Sequence, residues 1–405
     1  MSKTILIVSG GVEAAAAAQR AKEMGLYVVV SDRDPEAPGF AFADSCIIAD
    51  VYSPDQTAAA AERFHRKVRK LDGVICVAAD APLTVATVTA RLGLAGISVE
   101  SARLASDKLA MKERLFGAGV PIPWFSPVAT TQALQRFAIE RGPNLVIKPV
   151  DSRGSRGVQR VAQVKDLDQA FALARQHSPT QRVMVEQYLD GPQVSTESIV
   201  IAGRCFTPGF SDRNYEFLER YAPFFIENGG DLPSRLPDDV QAKVRDVVAR
   251  AADALGITDG TVKGDIVVHD GEAYVIELAA RLSGGFFCTH EIPLSTGVDF
   301  LSAALRVALG EPVAAEELEP KQQRAVCQRY SFPAPGKVVR ISGADDARKV
   351  EGVSEFIVTA KIGDVIPPAG DKRPSGAMVV TTGGSRAAAL AAANDAISRI
   401  RIETA

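Results

Sequence analysis

Along the first hundred residues, short apolar runs alternate with longer segments of helical period. Ile5-Leu6-Ile7-Val8 reads as a buried strand, Ser9-Gly10-Gly11 as a turn, and Val12 to Met24 as an Ala-rich helix ended by Gly25. Tyr27 to Val30 is a second strand, followed by Asp32. Cys46-Ile47-Ile48 and Val74-Ile75-Cys76-Val77 are further strands, with a helix near Thr57 to Arg69 between them. This alternation predicts a doubly wound parallel sheet. Beyond residue 100 the pattern changes. Ser106-Asp107-Lys108 opens a helix that either Ser106 or Asp107 can cap, and Val120-Pro121-Ile122-Pro123 breaks it. Strands follow at Leu145 to Pro149, Val183 to Gln187 and Val194 to Ile201. Val267-Val268 and Tyr274-Val275-Ile276 form the arms of a hairpin about Asp270-Gly271.

Composition narrows the class. The chain has 405 residues, 46% of them hydrophobic, which is enough for about two to four domains with their own cores. A formal net charge of −3 gives no bulk affinity for nucleic acid or an acidic membrane. The five cysteines (Cys46, Cys76, Cys205, Cys288, Cys327) are scattered and never spaced as CxxC. This argues for a reducing compartment and against a cysteine metal site. The start, MSKTILIVSGG, lacks the long apolar stretch of a signal peptide, and no window reaches the length of a membrane span. A soluble cytoplasmic protein is expected.

Several stretches carry candidate chemistry. Ser9-Gly10-Gly11 before a helix, with Asp32 downstream, invites a dinucleotide reading. Ala14, Ala15 and Ala16 occupy the region where a third glycine is needed, so a substrate crevice at the carboxyl ends of the strands is the better expectation. Lys148 ends a strand and is followed by Ser152-Arg153-Gly154-Ser155-Arg156-Gly157. Glycine and serine let backbone N–H groups face an anion while Lys and Arg supply charge, so this loop reads as a phosphate cradle or, more plainly, as a flexible basic loop. Glu186-Gln187-Tyr188-Leu189 can offer backbone hydrogen bonds to an adenine edge, and Glu197 in the next strand can reach ribose hydroxyls. Both acids also suit ordinary exposed strand positions. Asp265 and Glu277 stand 12 positions apart across the hairpin. They share a face only if the loop has an odd number of residues, which His269-Asp270-Gly271 supplies; a two-residue turn sends them to opposite faces. Converging carboxylates suit Mg²⁺, and solvated hairpin acids are the plain alternative.

Taken in order, Lys108, Lys148, the Gly-rich loop, Glu186 to Leu189, Glu197, Asp265, Glu277 and Arg281 resemble the ATP-grasp superfamily, clearly over residues 1 to 310. The resemblance implies an α/β and α+β multidomain fold. It comprises an N-terminal doubly wound parallel-sheet domain (1–100), ATP-grasp lobes at 101–187 and 188–310, and a small C-terminal α+β domain (311–405). It implies ATP and Mg²⁺, with Mn²⁺ as an alternative. Lys108 and Lys148 would contact the phosphates under a lid containing Ser152, Arg153, Gly154, Ser155 and Gly157. Glu186, Gln187, Tyr188 and Leu189 would meet the adenine, and Glu197 the ribose. Asp265 and Glu277 would hold the metal, and Arg281 would stabilise a phosphorylated intermediate.

The family often places Asn two residues after the hairpin Glu. Here Ala279 stands there and cannot ligate, so a second metal is bridged by Glu277, weaker or absent. Arg281-Leu282-Ser283-Gly284-Gly285 looks like the carboxylate–amine ligase branch that includes bacterial L-amino-acid (dipeptide) ligases. Ala222 to Glu227 with Leu232-Pro233-Ser234 resembles the same branch, in which this Glu lies near the amine-bearing substrate. A His frequent three residues later is Gly230 here, so an altered pocket is expected. Lys337 onward, through Gly352-Val353, Gly363-Asp364 and Arg373-Pro374-Ser375-Gly376, resembles the C-terminal domain of these ligases. The implied reaction activates a carboxylate as an acyl phosphate, which an amine attacks to give an amide, ADP and phosphate. Ser283, Gly284 and Gly285 would admit the substrate closely. His290 and Glu291 are further candidate contacts, His290 with a structural role as its alternative. Partners are therefore small carboxylates and amines; a homodimer, common among related enzymes, is the open question of assembly. A carboxylating enzyme acting through carboxyphosphate is the second reading. It is weakened because Leu282-Ser283-Gly284-Gly285 replaces the Gln-Val-Glu-His of biotin carboxylases. A non-catalytic nucleotide-binding module is the third.

Overall fold

The computed structural model describes residues 2–368 and 375–405. The N-terminal alternation folds as the pattern predicts. Strands Thr4–Val8, Tyr27–Asp32, Ser45–Ile48 and Gly73–Cys76 form one parallel sheet, with Thr4–Val8 paired between Tyr27–Asp32 and Gly73–Cys76. Helix Val12–Glu23 lays Ala14, Ala17, Ala18 and Ala21 against the core. That i, i+3, i+4, i+7 stripe of small side chains lets the helix approach closely. Asp32 does not wait for a ribose. It accepts a hydrogen bond from the Gly10 amide at 2.8 Å, and a Cβ on Gly10 would overlap Ala37. The turn is filled by its own chain, so the dinucleotide reading has no cradle.

An antiparallel sheet follows, ordered Phe125–Val128, Val183–Gln187, Leu145–Pro149, Gln159–Arg160. Before it, Asp107 caps helix Lys108–Gly117 through the Ala110 amide at 2.9 Å; Ser106 instead ends the preceding helix Val99–Ser106. The largest sheet has eight strands. Glu272–Ala279 lies at one edge, then Gly260–His269, Gln193–Ile201, Arg204–Arg213, Gly230–Leu232, Ala325–Ser331, Ala377–Gly383 and Val353–Val358. This sheet runs across the expected boundary at 310/311, so residues on both sides of that line share one hydrogen-bonded surface. A three-stranded sheet of Val365–Ile366, Gly336–Ser342 and Arg401–Thr404 completes the mixed α/β multidomain architecture. Arg373 and Pro374, part of the C-terminal motif, lie outside the described residues.

The N-terminal sheet docks onto the rest. One apolar cluster joins Ile5, Ile7 and Val30 to Leu282, Phe286, Phe300 and Val326. Fully burying a side chain such as Phe300 contributes about 2–3 kcal/mol. Val77, just past strand Gly73–Cys76, bridges Leu282 in parallel, which brings the carboxyl end of that sheet to the segment after Arg281. Among the described residues no helix is long and apolar enough to cross a membrane.

Candidate active site

The hairpin reaches the expected result by a different device. Its turn has two residues, Asp270 (φ 50°) and Gly271 (φ 76°), with His269 opposite Glu272. The three-residue loop expected from the sequence is not formed. With that turn alone Asp265 would face Ile276, and Glu277 would point to the other side. A register shift intervenes: Ile266 pairs with Val275, yet Asp265 pairs with Glu277. Ile276 is the extra residue of a β-bulge, which re-aims the side chain after it. Asp265 and Glu277 therefore line one cleft. Asp265 is paired with Arg213 at 2.8 Å and with Lys263, and Glu277 with Lys108 at 3.1 Å. Burial pushes the Asp265 carboxyl up, but Arg213 and Lys263 outweigh it and hold it well below the usual carboxylate range.

That cleft lies between the four-stranded antiparallel sheet and the hairpin. Lys108, Lys148, Ser152, Gly154 and Ser155 line it, as do Glu186, Gln187, Tyr188 and Leu189. The Lys108 ammonium donates to the Ser152 carbonyl at 2.8 Å, tying the helix start to the Gly-rich loop. Gly154 and Ser155 both take positive φ (60° and 59°), which turns their backbone sharply over the cleft. Glu186 is buried between Lys148, to which it is ion-paired, and Lys112 at 3.2 Å. Burial raises its carboxyl, and Lys112 with Lys148 outweighs that and lowers it; burial brings Lys112 down to about 8. Its two oxygens are divided between the lysines: Oε1 meets Lys148 and Oε2 meets Lys112.

Three expected residues lie elsewhere. Arg153 stacks on the Tyr52 ring, 3.8 Å from its centroid, because the loop turns its side chain toward the N-terminal sheet. Gly157 (φ 73°) is packed so closely that a Cβ would press on Pro149 and Ala174. Its role in the fold is the loop's base. Glu197 is wholly buried, accepts from the Ser283 amide at 3.2 Å, and does not line the cleft. It lies opposite Lys263 in the sheet, too far along its strand, whereas Gln193, the strand's first residue, lines the cleft. The signal for Gln193 was the Asp190-Gly191-Pro192 break, which puts the next residue at the mouth. Lys112, Arg213 and Lys263 were also missed. Arg213 ends a strand and Lys263 lies within one, and neither carries a motif.

Past the two carboxylates the cleft continues. Arg213, Asp265 and Glu277 form a shared wall with a middle section that also contains Ala279, Glu227 and Arg281. Arg281 is partly buried, and Asp80 accepts from its Nε at 3.1 Å. Burial lowers the guanidinium's affinity for its proton, but Asp80 more than offsets this. Glu227 pairs with Arg213 at 2.5 Å. Arg213, Glu227, Lys263 and Arg281 in turn border an inner chamber lined by Ser283-Gly284-Gly285, Glu291, Gln328 and Tyr330. The glycine loop is held from outside. Glu13 accepts from the Gly285 and Phe286 amides at 2.8 and 2.7 Å, and Gln328 donates to the Gly285 carbonyl. Gly230 borders the chamber, and a Cβ there would overlap Ser211 Oγ, so this position has no room for a side chain. Of the two candidates after the loop, Glu291 lines the chamber. His290 does not; it packs on Phe286 and pairs with Glu355 at 3.5 Å. Tyr215 and Phe225 line the first cleft, and Phe224 the middle. Phe217 and Tyr221 pack instead on Phe332.

The donor set suits a hard divalent cation. Among the described residues no group of three or more His, Cys, Asp or Glu could hold a metal. Two carboxylates on one face, already drawing Arg213, Lys263 and Lys108, fit Mg²⁺, which takes one or two carboxylates and completes its shell with phosphate and water. Ala279 borders the same space and adds no ligand.

Residues 105–285 match the ATP-grasp domain, and residues 329–405 match the L-amino acid ligase C-terminal domain 2. A D-alanine–D-alanine ligase of Desulforudis audaxviator is 29% identical over 219 residues, which is 53% of this chain and 67% of that one. The fold is shared by an L-amino acid ligase from Bacillus licheniformis, with TM-score 0.83 and 21% identity over 100% of this chain and 99% of that one. It is also shared by a phosphoribosylglycinamide synthetase from Anaerococcus prevotii, with TM-score 0.77 and 18% identity over the whole of both chains.

Proposed function

We propose that this chain, an ATP-grasp ligase by the two domains it carries, joins a small carboxylic acid to an amine through an acyl phosphate, releasing ADP and phosphate. One observation carries the reading. The nucleotide cleft, the middle section and the inner chamber share walls in sequence, with Arg281 between the paired carboxylates and the chamber. A phosphoryl group leaving the nucleotide end would meet a carboxylate held at the chamber end.

In this reading Lys108 and Lys148 bind the phosphates, with Gly154 and Ser155 over them. Glu186, held by Lys112 and Lys148, borders the adenine, Leu189 and Tyr188 flank the ring, and Gln193 takes the ribose contact. Asp265 and Glu277 would hold Mg²⁺, which when bound neutralises phosphate charge. Arg281, aimed by Asp80, and Lys263 meet the charge that develops on the transferred phosphoryl oxygens. Glu227 accepts the substrate's ammonium beside the reacting carboxyl. The loop Ser152 to Gly157 excludes water, which would otherwise hydrolyse the acyl phosphate. The amine then attacks the acyl carbon, the amide C–N bond forms, phosphate leaves, and the amine's proton passes to solvent or a nearby carboxylate.

The test is release of ADP and phosphate from Mg-ATP with pooled amino acids and small carboxylates, with and without bicarbonate. ADP and phosphate appearing only with an acid–amine pair is the expected result. Stimulation by bicarbonate alone would replace this reading with the carboxylating one.

A further inference from the structure

The charges of the inner chamber do not balance within the protein. Arg213 is paired with Glu227 and Asp265, Lys263 with Asp265, and Arg281 with Asp80. Glu291 also lines the chamber and is 3% exposed, and the cation whose field favours its ionised form is Arg329. The nearby Arg329 is committed to Asp231 at 3.1 Å and to backbone carbonyls. An orphan shares the space: Ser211 Oγ is buried without a partner and borders the chamber. Buried polar groups without partners cost stability unless a ligand completes them. Burial, followed by the fields of Glu227, Asp231 and Glu13, pushes the Glu291 carboxyl well above its ordinary range. A cation brought next to it would reverse that pressure.

Position identifies which cation. Glu227 borders both the middle section and the chamber, beside Arg281, whereas Glu291 borders the chamber only, among Phe287, Gln328 and Tyr330. The α-ammonium of an amino acid is bonded next to the reacting carboxyl and so stays at the Arg281–Glu227 end. A group reaching Glu291 must be remote from the reacting carbon. Resting on the ligase reading, we propose that Glu291 is a specificity-determining residue that receives the cationic side-chain end, ammonium or guanidinium, of a basic amino-acid substrate.

The experiment is equilibrium titration of the full-length protein with L-lysine and with its uncharged analogue L-norleucine, repeated on Glu291→Gln. The wild-type protein is expected to bind lysine about 10–100-fold more tightly than norleucine. The variant is expected to lose most of that advantage while keeping norleucine affinity. Equal wild-type affinity for the two would overturn the proposal without recourse to any variant. So would a variant that weakens both ligands equally, since Glu291 would then serve the α-ammonium. ADP release with each amino acid plus pooled amines separates the two levels. Selective lysine binding without turnover supports the subsite and sinks the ligase reading. Turnover of neutral amino acids with no preference for lysine does the reverse.

Discussion

The nucleotide cleft and the inner chamber are neighbours built in opposite ways. The cleft's central ion pair, Lys148 with Glu186, joins residues 38 positions apart on adjacent strands of one small sheet. The chamber's ties are long. Arg281 is held by Asp80 across 201 positions, and the Gly285 amide by Glu13 across 272. The cleft's wall on that sheet therefore comes with the folding of one segment, and the hairpin supplies the facing wall. The chamber exists only when the N-terminal sheet and the C-terminal strands are docked on it. Nucleotide binding and ligation should accordingly break separately.

The sharpest break is Arg281→Ala. On the proposed mechanism it removes the cation that meets the transferred phosphoryl group, and kcat should fall by roughly a thousandfold or more. ATP affinity, measured by titration, should stay near the wild-type value, because Arg281 does not line the nucleotide cleft. Near-normal turnover in a folded variant would remove Arg281 from the mechanism.

The next largest effect is on stability and also lies under the chamber. Burial pushes the Glu197 carboxyl up to about 7, with Ser283 only partly offsetting it. Between the ordinary glutamate range near 4.5 and about 7, the folded chain holds a proton that the unfolded chain has released. The stability from this group is complete below that range and is lost as pH rises through about 7. Glu197→Gln cannot ionise and escapes the loss. Its stability relative to wild type should rise between pH 5 and pH 8, with a ceiling of about 3 kcal/mol. Parallel melting temperatures across that interval would show that Glu197 does not titrate there.

Asp80→Asn tests the long reach directly. It keeps the shape beside Arg281 and removes the charge that fixes its orientation. Misplacing a group at a reacting centre costs on the order of a hundredfold, so kcat should fall by about 10–100-fold. KM for ATP should be unchanged. A KM effect with normal kcat would assign Asp80 to nucleotide binding.

The same contrast explains what the sequence made legible. Lys108, Lys148, the Gly-rich loop and Glu186 carry local signatures: a capped helix start, a strand-ending lysine, a turn-forming loop. All of them line the cleft except Arg153 and Gly157, whose directions depend on Tyr52 and Pro149 from other segments. The bulge at Ile276 was invisible because nothing in Val275-Ile276-Glu277 departs from strand composition, and only the ladder reveals the extra residue. Glu13, Asp80, Arg213 and Lys263 lack motifs altogether. They matter through partners that the sequence places far away or on neighbouring strands.

The smallest effect bears on the ribose. Gln193 lines the cleft and Glu197 does not, although both lie on the same face of one strand. Losing one hydrogen bond from an amide side chain costs about 1 kcal/mol, so Gln193→Ala should raise KM for ATP roughly fivefold and leave kcat in place. Glu197→Gln should leave KM for ATP unchanged, since its carboxylate faces the Ser283 amide. The two variants, assayed side by side with ATP varied at saturating acid and amine, decide between the positions. If Glu197→Gln raises KM and Gln193→Ala does not, the strand rearranges when the nucleotide enters, and the separation of cleft from chamber is weaker than the ion pairs imply.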